Sequence, residues 1–315
     1  MDFTTPRSVV DFWAENQDVS VDELVEIISY CTEKLGFGAL SIAEEAILSG
    51  HLELNEKLSQ YHTDVEKAVL KFIMAKIDGH SQEIRGALDS AFELSRQNES
   101  RDLVLEGRLR MEMGLIQFQE GDMESARDSL TWAETRLKSV DRYSLLHDTS
   151  LLNKAAFHYA VGEDLMALNF YSEISLEKSH AAEAKGISRI GAGNILRDRG
   201  HPAAAARHYW NAFHVFESTP LFEMRLEAAM LFLNLANECV TKNAPSMSEQ
   251  IELAKPLAAG DKVPKARINY VDTKYIISIC NILLKEQLDA FSETMISEYN
   301  NLCSALETAV SSDKK

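Results

Sequence analysis

Apolar residues recur at three- and four-residue steps along most of the chain, in blocks broken by Gly, Asp, Asn and Ser. That period collects them on one stripe of an α-helix, whereas a strand needs alternation by two, which no segment sustains. The block formed by Val21, Leu24, Val25, Ile28 and Cys31 is typical. Ser20 and Glu23 precede it in S-x-x-E spacing, which satisfies free backbone N–H groups of a first helical turn, and Gly36 and Gly38 stop it. Read this way, the sequence predicts helices over 7–16, 20–35, 39–49, 51–62, 64–78, 81–97, 101–119, 122–138, 144–161, 164–179, 182–199, 202–217, 220–242, 247–259, 265–285 and 287–310. The expected fold class is all-α, with no sheet.

The middle of the chain repeats itself. Gly114 is followed by Gly121, Ala126, Leu130 and Ala133, with Asp122 placed to cap the next helix. Ala155 is followed by Gly162, Ala167, Tyr171 and Ile174, and Gly193 by Gly200, Ala205, Tyr209 and Ala212. In a helix hairpin, small residues belong where the two backbones approach most closely, and the larger residue one turn on fills the gap beside them. The glycine that ends the first helix supplies a positive φ at the turn. Pro202 falls in the first turn of a second helix, where its missing N–H costs nothing.

This series of small, Gly, Ala, aromatic and Ala positions resembles the tetratricopeptide repeat, a helix–turn–helix unit of about 34 residues. Ala126, Ala167 and Ala205 recur at intervals of 41 and 38 residues, closer to the longer-helix variants of the family. The chain departs from the pattern in two ways. Arg110, Leu151 and Arg189 stand where the family has a large aromatic, and the final proline of each repeat is missing. Ala87, Leu88, Ala91 and Phe92 read as the second helix of an earlier repeat. Phe232, Leu235 and Ala236 open a fifth, whose second helix would start at the Ser246/Glu249 capping box, and residues 265–310 would form a sixth hairpin. The resemblance implies an α-solenoid of antiparallel hairpins over residues 63–310, with 311–315 as a disordered tail. Residues 1–62 are either its N-terminal helical cap or a small separate helical domain, hinged near Gly36 to Gly50.

In such arrays the first helices of successive hairpins line a concave groove. The repeat phase puts Arg108, Met111, Leu115 and Phe118 there from one hairpin, Asn153 and Tyr159 from the next, Asn194 and Arg197 from the third, and Asn234 and Asn237 from the fifth. Asparagine is a weak helix former, so its recurrence on one face calls for a reason. A carboxamide both donates and accepts, which suits the main chain of an extended peptide. Arg108 and Arg197, with Arg189 nearby, would make the groove locally basic and favour a partner with an acidic segment or a chain terminus. The carboxylate clamp of chaperone-binding members is not expected, because Met111 and Leu115 stand where its first Lys and Asn would be.

Composition narrows the classes further. Forty-nine acidic residues against 32 basic ones give a formal charge of −17, which repels nucleic acid and anionic membranes. The four cysteines, Cys31, Cys239, Cys280 and Cys303, form no C-x-x-C pair and lie in apolar helical patterns, as reduced thiols in the cytoplasm would. The N-terminus lacks a basic start followed by an apolar core, so no export signal is expected. The most apolar run, Tyr275 to Leu284, is too short to span a bilayer but leaves dimerisation through a terminal hairpin open.

Nothing points to an enzyme. H-E-x-x-H, G-x-S-x-G and a phosphate-cradling loop are absent. Gly191-Ala192-Gly193 reads as close helix packing, and His201, His208 and His214 as ordinary imidazoles, so no metal or cofactor is expected. The leading expectation is a scaffold or adaptor that binds a protein or peptide. The alternative is a signal-responsive regulator that senses a peptide or small ligand and controls an output protein.

Overall fold

A computed structural model describes residues 3–16, 19–79, 81–97, 101–176 and 179–221, together with 223–225, 227, 228, 231, 232 and 235. The helices predicted at 247–259, 265–285 and 287–310, most of 220–242, Asn234, Asn237, Cys239, Cys280, Cys303, the Tyr275–Leu284 run and the tail lie outside the described residues. Among the described residues there are twelve α-helices and no strand: α1 (Pro6–Glu15), α2 (Val21–Tyr30), α3 (Ala39–Leu48), α4 (Leu52–Leu58), α5 (Asp64–Asp78), α6 (Ser81–Gln97), α7 (Leu103–Gln119), α8 (Met123–Val140), α9 (Leu145–Ala160), α10 (Asp164–Glu173), α11 (Ala182–Asp198) and α12 (Pro202–Phe216). None of them is long and apolar enough to cross a membrane.

Local chemistry sets the starts. Thr5, Ser20 and Thr63 each cap a helix through a reciprocal bond with the residue three positions on, Ser8, Glu23 and Glu66. Asp102 caps α7, and Asp122 accepts from the Ser125 N–H at 3.1 Å in the first turn of α8. A hydrogen bond from the Ser125 side chain, followed by this backbone bond, holds the Asp122 carboxyl below its ordinary pKa.

Consecutive helices pack as antiparallel pairs, α3 with α4, α5 with α6, α7 with α8, α9 with α10 and α11 with α12. Four of these pairs close on the same turn. Gly121 N–H reaches Phe118 O at 3.1 Å while Asp122 N–H reaches Gln117 O at 2.9 Å, and the two bonds recur at Gly50, Gly162 and Gly200. The four glycines have φ between 77° and 86°, so each supplies the left-handed residue that lets the last carbonyls of the first helix find donors. The turn at Gly50 thus matches the three in the middle of the chain.

The small positions are seats. A methyl group on Gly114 would stand 2.8 Å from Leu130, and one on Gly193 would stand 2.6 Å from the Tyr209 ring. One on Gly191 would overlap the Tyr171 ring, so the glycines of that segment serve packing, as the spacing predicts.

The chain divides into two compact units, residues 1–140 and 141–315. In the first, one apolar cluster runs from Phe3 through Trp13, Ile42, Leu58, Phe72 and Leu88 to Met113, and it crosses residue 62 without a break. In the second, Leu151, Ala155, Ala167, Phe170, Tyr171, Ile174, Ala184, Ala192 and Ile195 form the core of α9 to α11.

Three predicted helices need correction. The segment 20–35 is α-helical only to Tyr30 and continues as a wider π turn over Cys31–Leu35, where the Thr32 hydroxyl takes the carbonyl of Ile28 at 2.8 Å. The segment 51–62 tightens to a 3₁₀ turn over Ser59–Tyr61. The segment 164–179 ends at Glu173, because Arg189, distant in sequence, donates to the carbonyls of Tyr171 and Ile174 at 3.0 Å and occupies the helix end.

Candidate functional site

Of the expected groove residues, Tyr159, Asn194 and Arg197 come together in the second unit. Helices α9 and α11, the first members of their pairs, lie against each other. Tyr159, in the last turn of α9, donates its hydroxyl to Asp198 at the end of α11. Arg197 reaches the same carboxylate with Nη2 at 3.0 Å and Nε at 3.1 Å. Tyr209, seated on Gly193, donates to Asn194 Oδ1 at 2.8 Å. At the neighbouring edge Arg199 pairs with Asp164.

The electrostatics follow from these contacts. The hydrogen bond to Asp198, ahead of burial, pushes the Tyr159 hydroxyl up to about 12, and the same bond holds the Asp198 carboxyl below its ordinary value. Burial pushes Tyr209 and Tyr171 up to about 12. All three phenols therefore remain neutral hydrogen-bonding groups at physiological pH, and the Arg197–Asp198 charges cancel. Such a cluster is equipped to recognise polar groups and lacks an activated nucleophile.

Asn153 is half-buried, makes no hydrogen bond among the described residues, and stands about 9 Å before Tyr159 along α9. It is not drawn into the cluster. Asn234 and Asn237 lie outside the described residues.

In the first unit the expected groove residues fare differently. Met111 is 4% exposed, so it is a core residue and not part of an open face. Leu115 and Phe118 are half-buried. Arg108 is paired with Glu44 at 2.7 Å.

Each arginine expected to make the groove basic has oxygen beside it, because a cation taken partly out of water recruits oxygen. Arg108 takes Glu44 and Arg197 takes Asp198. Arg189 is 1% exposed and turned onto the α10 carbonyls, with burial lowering its pKa to about 10.

The periodicity also hides a buried polar junction at the start of α9. Asp148 is fully buried, accepts from the Ala181 N–H at 2.9 Å and meets His180 Nδ1 at 2.6 Å. It thereby ties α9 to the residue before α11. The available signal was an aspartate in the apolar phase of a helix, with a histidine just ahead of the next helix start.

Among the described residues, no three His, Cys, Asp or Glu side chains are placed to hold a metal ion. His201 is exposed while His208 is buried, so the two do not share an open face. No protein-family model matches the chain, and no curated protein sequence matches it.

Proposed function

We propose that the chain is a tetratricopeptide-like α-solenoid that holds an extended peptide segment of another protein against the first helices of consecutive pairs. The observation that carries this reading is the cluster on α9 and α11, in which Tyr159, Asn194 and Arg197 are fixed by Asp198 and Tyr209. Side chains already held in one arrangement lose less freedom when a ligand arrives. Asn194 uses its carbonyl on Tyr209 and keeps its amide N–H groups unengaged among the described residues, and Asn153 keeps its whole carboxamide. These groups match the N–H and C=O of a peptide main chain. With Arg197 neutralised by Asp198, the face favours main-chain recognition over a strongly acidic partner.

Selection from a random peptide library on the intact chain tests this, with affinities then measured for two variants. Asn194→Asp keeps the acceptor for Tyr209 while removing the N–H donors, and Asn153→Ala removes the other carboxamide. The selected peptides are expected to bind the double variant at least about tenfold more weakly, a loss of about 1.4 kcal/mol. Equal binding by a variant with unchanged circular dichroism would remove this face from consideration.

A further inference from the structure

A cleft of about 730 Å³ lies where α4 and the turn after it meet the α5–α6 pair, within the size range of small-molecule sites. His62 forms part of its wall and is 5% exposed, yet neither ring nitrogen has a hydrogen-bond partner among the described residues. Asn55 Oδ1, on the same wall, is also buried without a partner. Burial lowers the pKa of the imidazole, so near neutral pH the ring carries no charge and offers one donor and one acceptor. Together the two side chains complement an amide group.

Charge is ordered along the cleft. Lys67, Lys71, Met74 and Asp78 recur at helical spacing on one stripe of α5, all of them lining the cleft. Lys71 and Asp78 are about 10 Å apart along the helix axis. Glu83, in the first turn of α6, adds a second carboxylate at the Asp78 end. Lys67 reaches only Asp64, at 4.0 Å, and Lys71, Asp78 and Glu83 have no ion-pair partner among the described residues. The α5 dipole has the same sense, positive toward the lysines and negative toward Asp78. Leu70 and Met74 give the space between them an apolar floor.

We propose that this cleft binds a dipolar ligand about 10 Å long, its amine at Asp78 and Glu83, its carboxylate at Lys67 and Lys71, and an amide on His62 and Asn55. A free-ended tripeptide has these dimensions, since an extended residue spans about 3.3–3.6 Å. The site is independent of the α9–α11 face, and its occupant would be the small signal that the regulatory alternative requires.

Calorimetric titration of the full chain with the tripeptide Ala-Leu-Ala tests the assignment, with the acetylated and amidated tripeptide, acetate and methylamine as comparisons. Binding is expected to saturate with the free tripeptide and to weaken at least about tenfold when both ends are blocked or when exposed Lys71 is changed by Lys71→Glu. The His62 ring signals, identified by their loss in His62→Gln, should shift as the site fills. Absence of saturable binding, equal binding of the blocked tripeptide, an equal His62 shift with acetate or methylamine alone, or heat without a His62 shift would each overturn the proposal.

Discussion

Helices α1 to α6 and the connections between them bury Trp13, Leu24, Ile42, Leu54, Leu58, Phe72 and Leu88, and among their described residues only His62 and Ser95 are buried polar side chains. Helices α9 to α12 and the connections between them bury His147, Asp148, Lys154, His158, His180, Arg189, His208 and Asn211. Both regions use the same paired helices and the same glycine turn, yet they derive their cohesion from different physics. Apolar burial has no direction and follows the area removed from water. Buried polar groups must meet specific partners, and losing one partner strands the other. The first region should therefore tolerate changes that conserve volume, while the second should not.

The largest expected effect tests that contrast with near-isosteric exchanges. Asp148→Leu would leave the Ala181 N–H and the His180 ring nitrogen without their acceptor, at a cost of about 3–5 kcal/mol, as for other broken buried pairs. Leu54→Met in the first region should cost less than about 1.5 kcal/mol. Urea unfolding of the two variants measures both values. Similar costs would mean that the polar junction contributes no more than its volume.

Glycine substitutions sharpen the comparison at a smaller scale. Gly86, in α6, has open space around it, and Gly191, in α11, has the Tyr171 ring where a side chain would begin. Gly86→Ala should stabilise the chain by about 0.5–1 kcal/mol, through the conformational freedom removed from the unfolded state. Gly191→Ala gains the same term but forces the buried ring to move, for a net loss of about 1–3 kcal/mol. Opposite signs in thermal melts are the expected result. Matching signs would show that the ring relocates freely.

These seats and turns were legible in the sequence because a missing Cβ is a local requirement that glycine states by itself. The helix starts at Ser20 and Asp122 were legible for the same reason, since a cap is decided within four residues. What the sequence concealed depends on partners distant along the chain. The helix beginning at Asp164 keeps its pattern past Glu173, and only the arrival of Arg189 ends it. Arg108 and Met111 share the phase of groove residues, but Glu44 neutralises one and burial removes the other. Tyr159, Asn194 and Arg197 share a phase that the repeat displays, whereas the carboxylate that joins two of them, Asp198, has no such mark, because it is placed by a contact between α9 and α11. Nothing near His62 in sequence marks its ring nitrogens as unpartnered.

A further effect is spread over a range of pH. His208 is fully enclosed in α12, and burial, ahead of the charges of Arg189 and Arg207, puts its pKa well below the ordinary histidine value. Below about pH 6.5 the unfolded chain takes up a proton that the folded chain refuses, so stability falls with pH from that point, by up to about 1.4 kcal/mol per unit for this group. His62 and His214, also lowered by burial, act in the same direction. Urea midpoints measured between pH 8 and pH 5 should decline below about 6.5, and His208→Leu should remove part of that slope while His201→Leu, at an exposed ring, should not. An unchanged slope in His208→Leu would mean that the ring gains access to water or a partner as the pH falls. The second region would then yield to acid by local opening, with its buried polar groups no more costly to protonate than those at the surface.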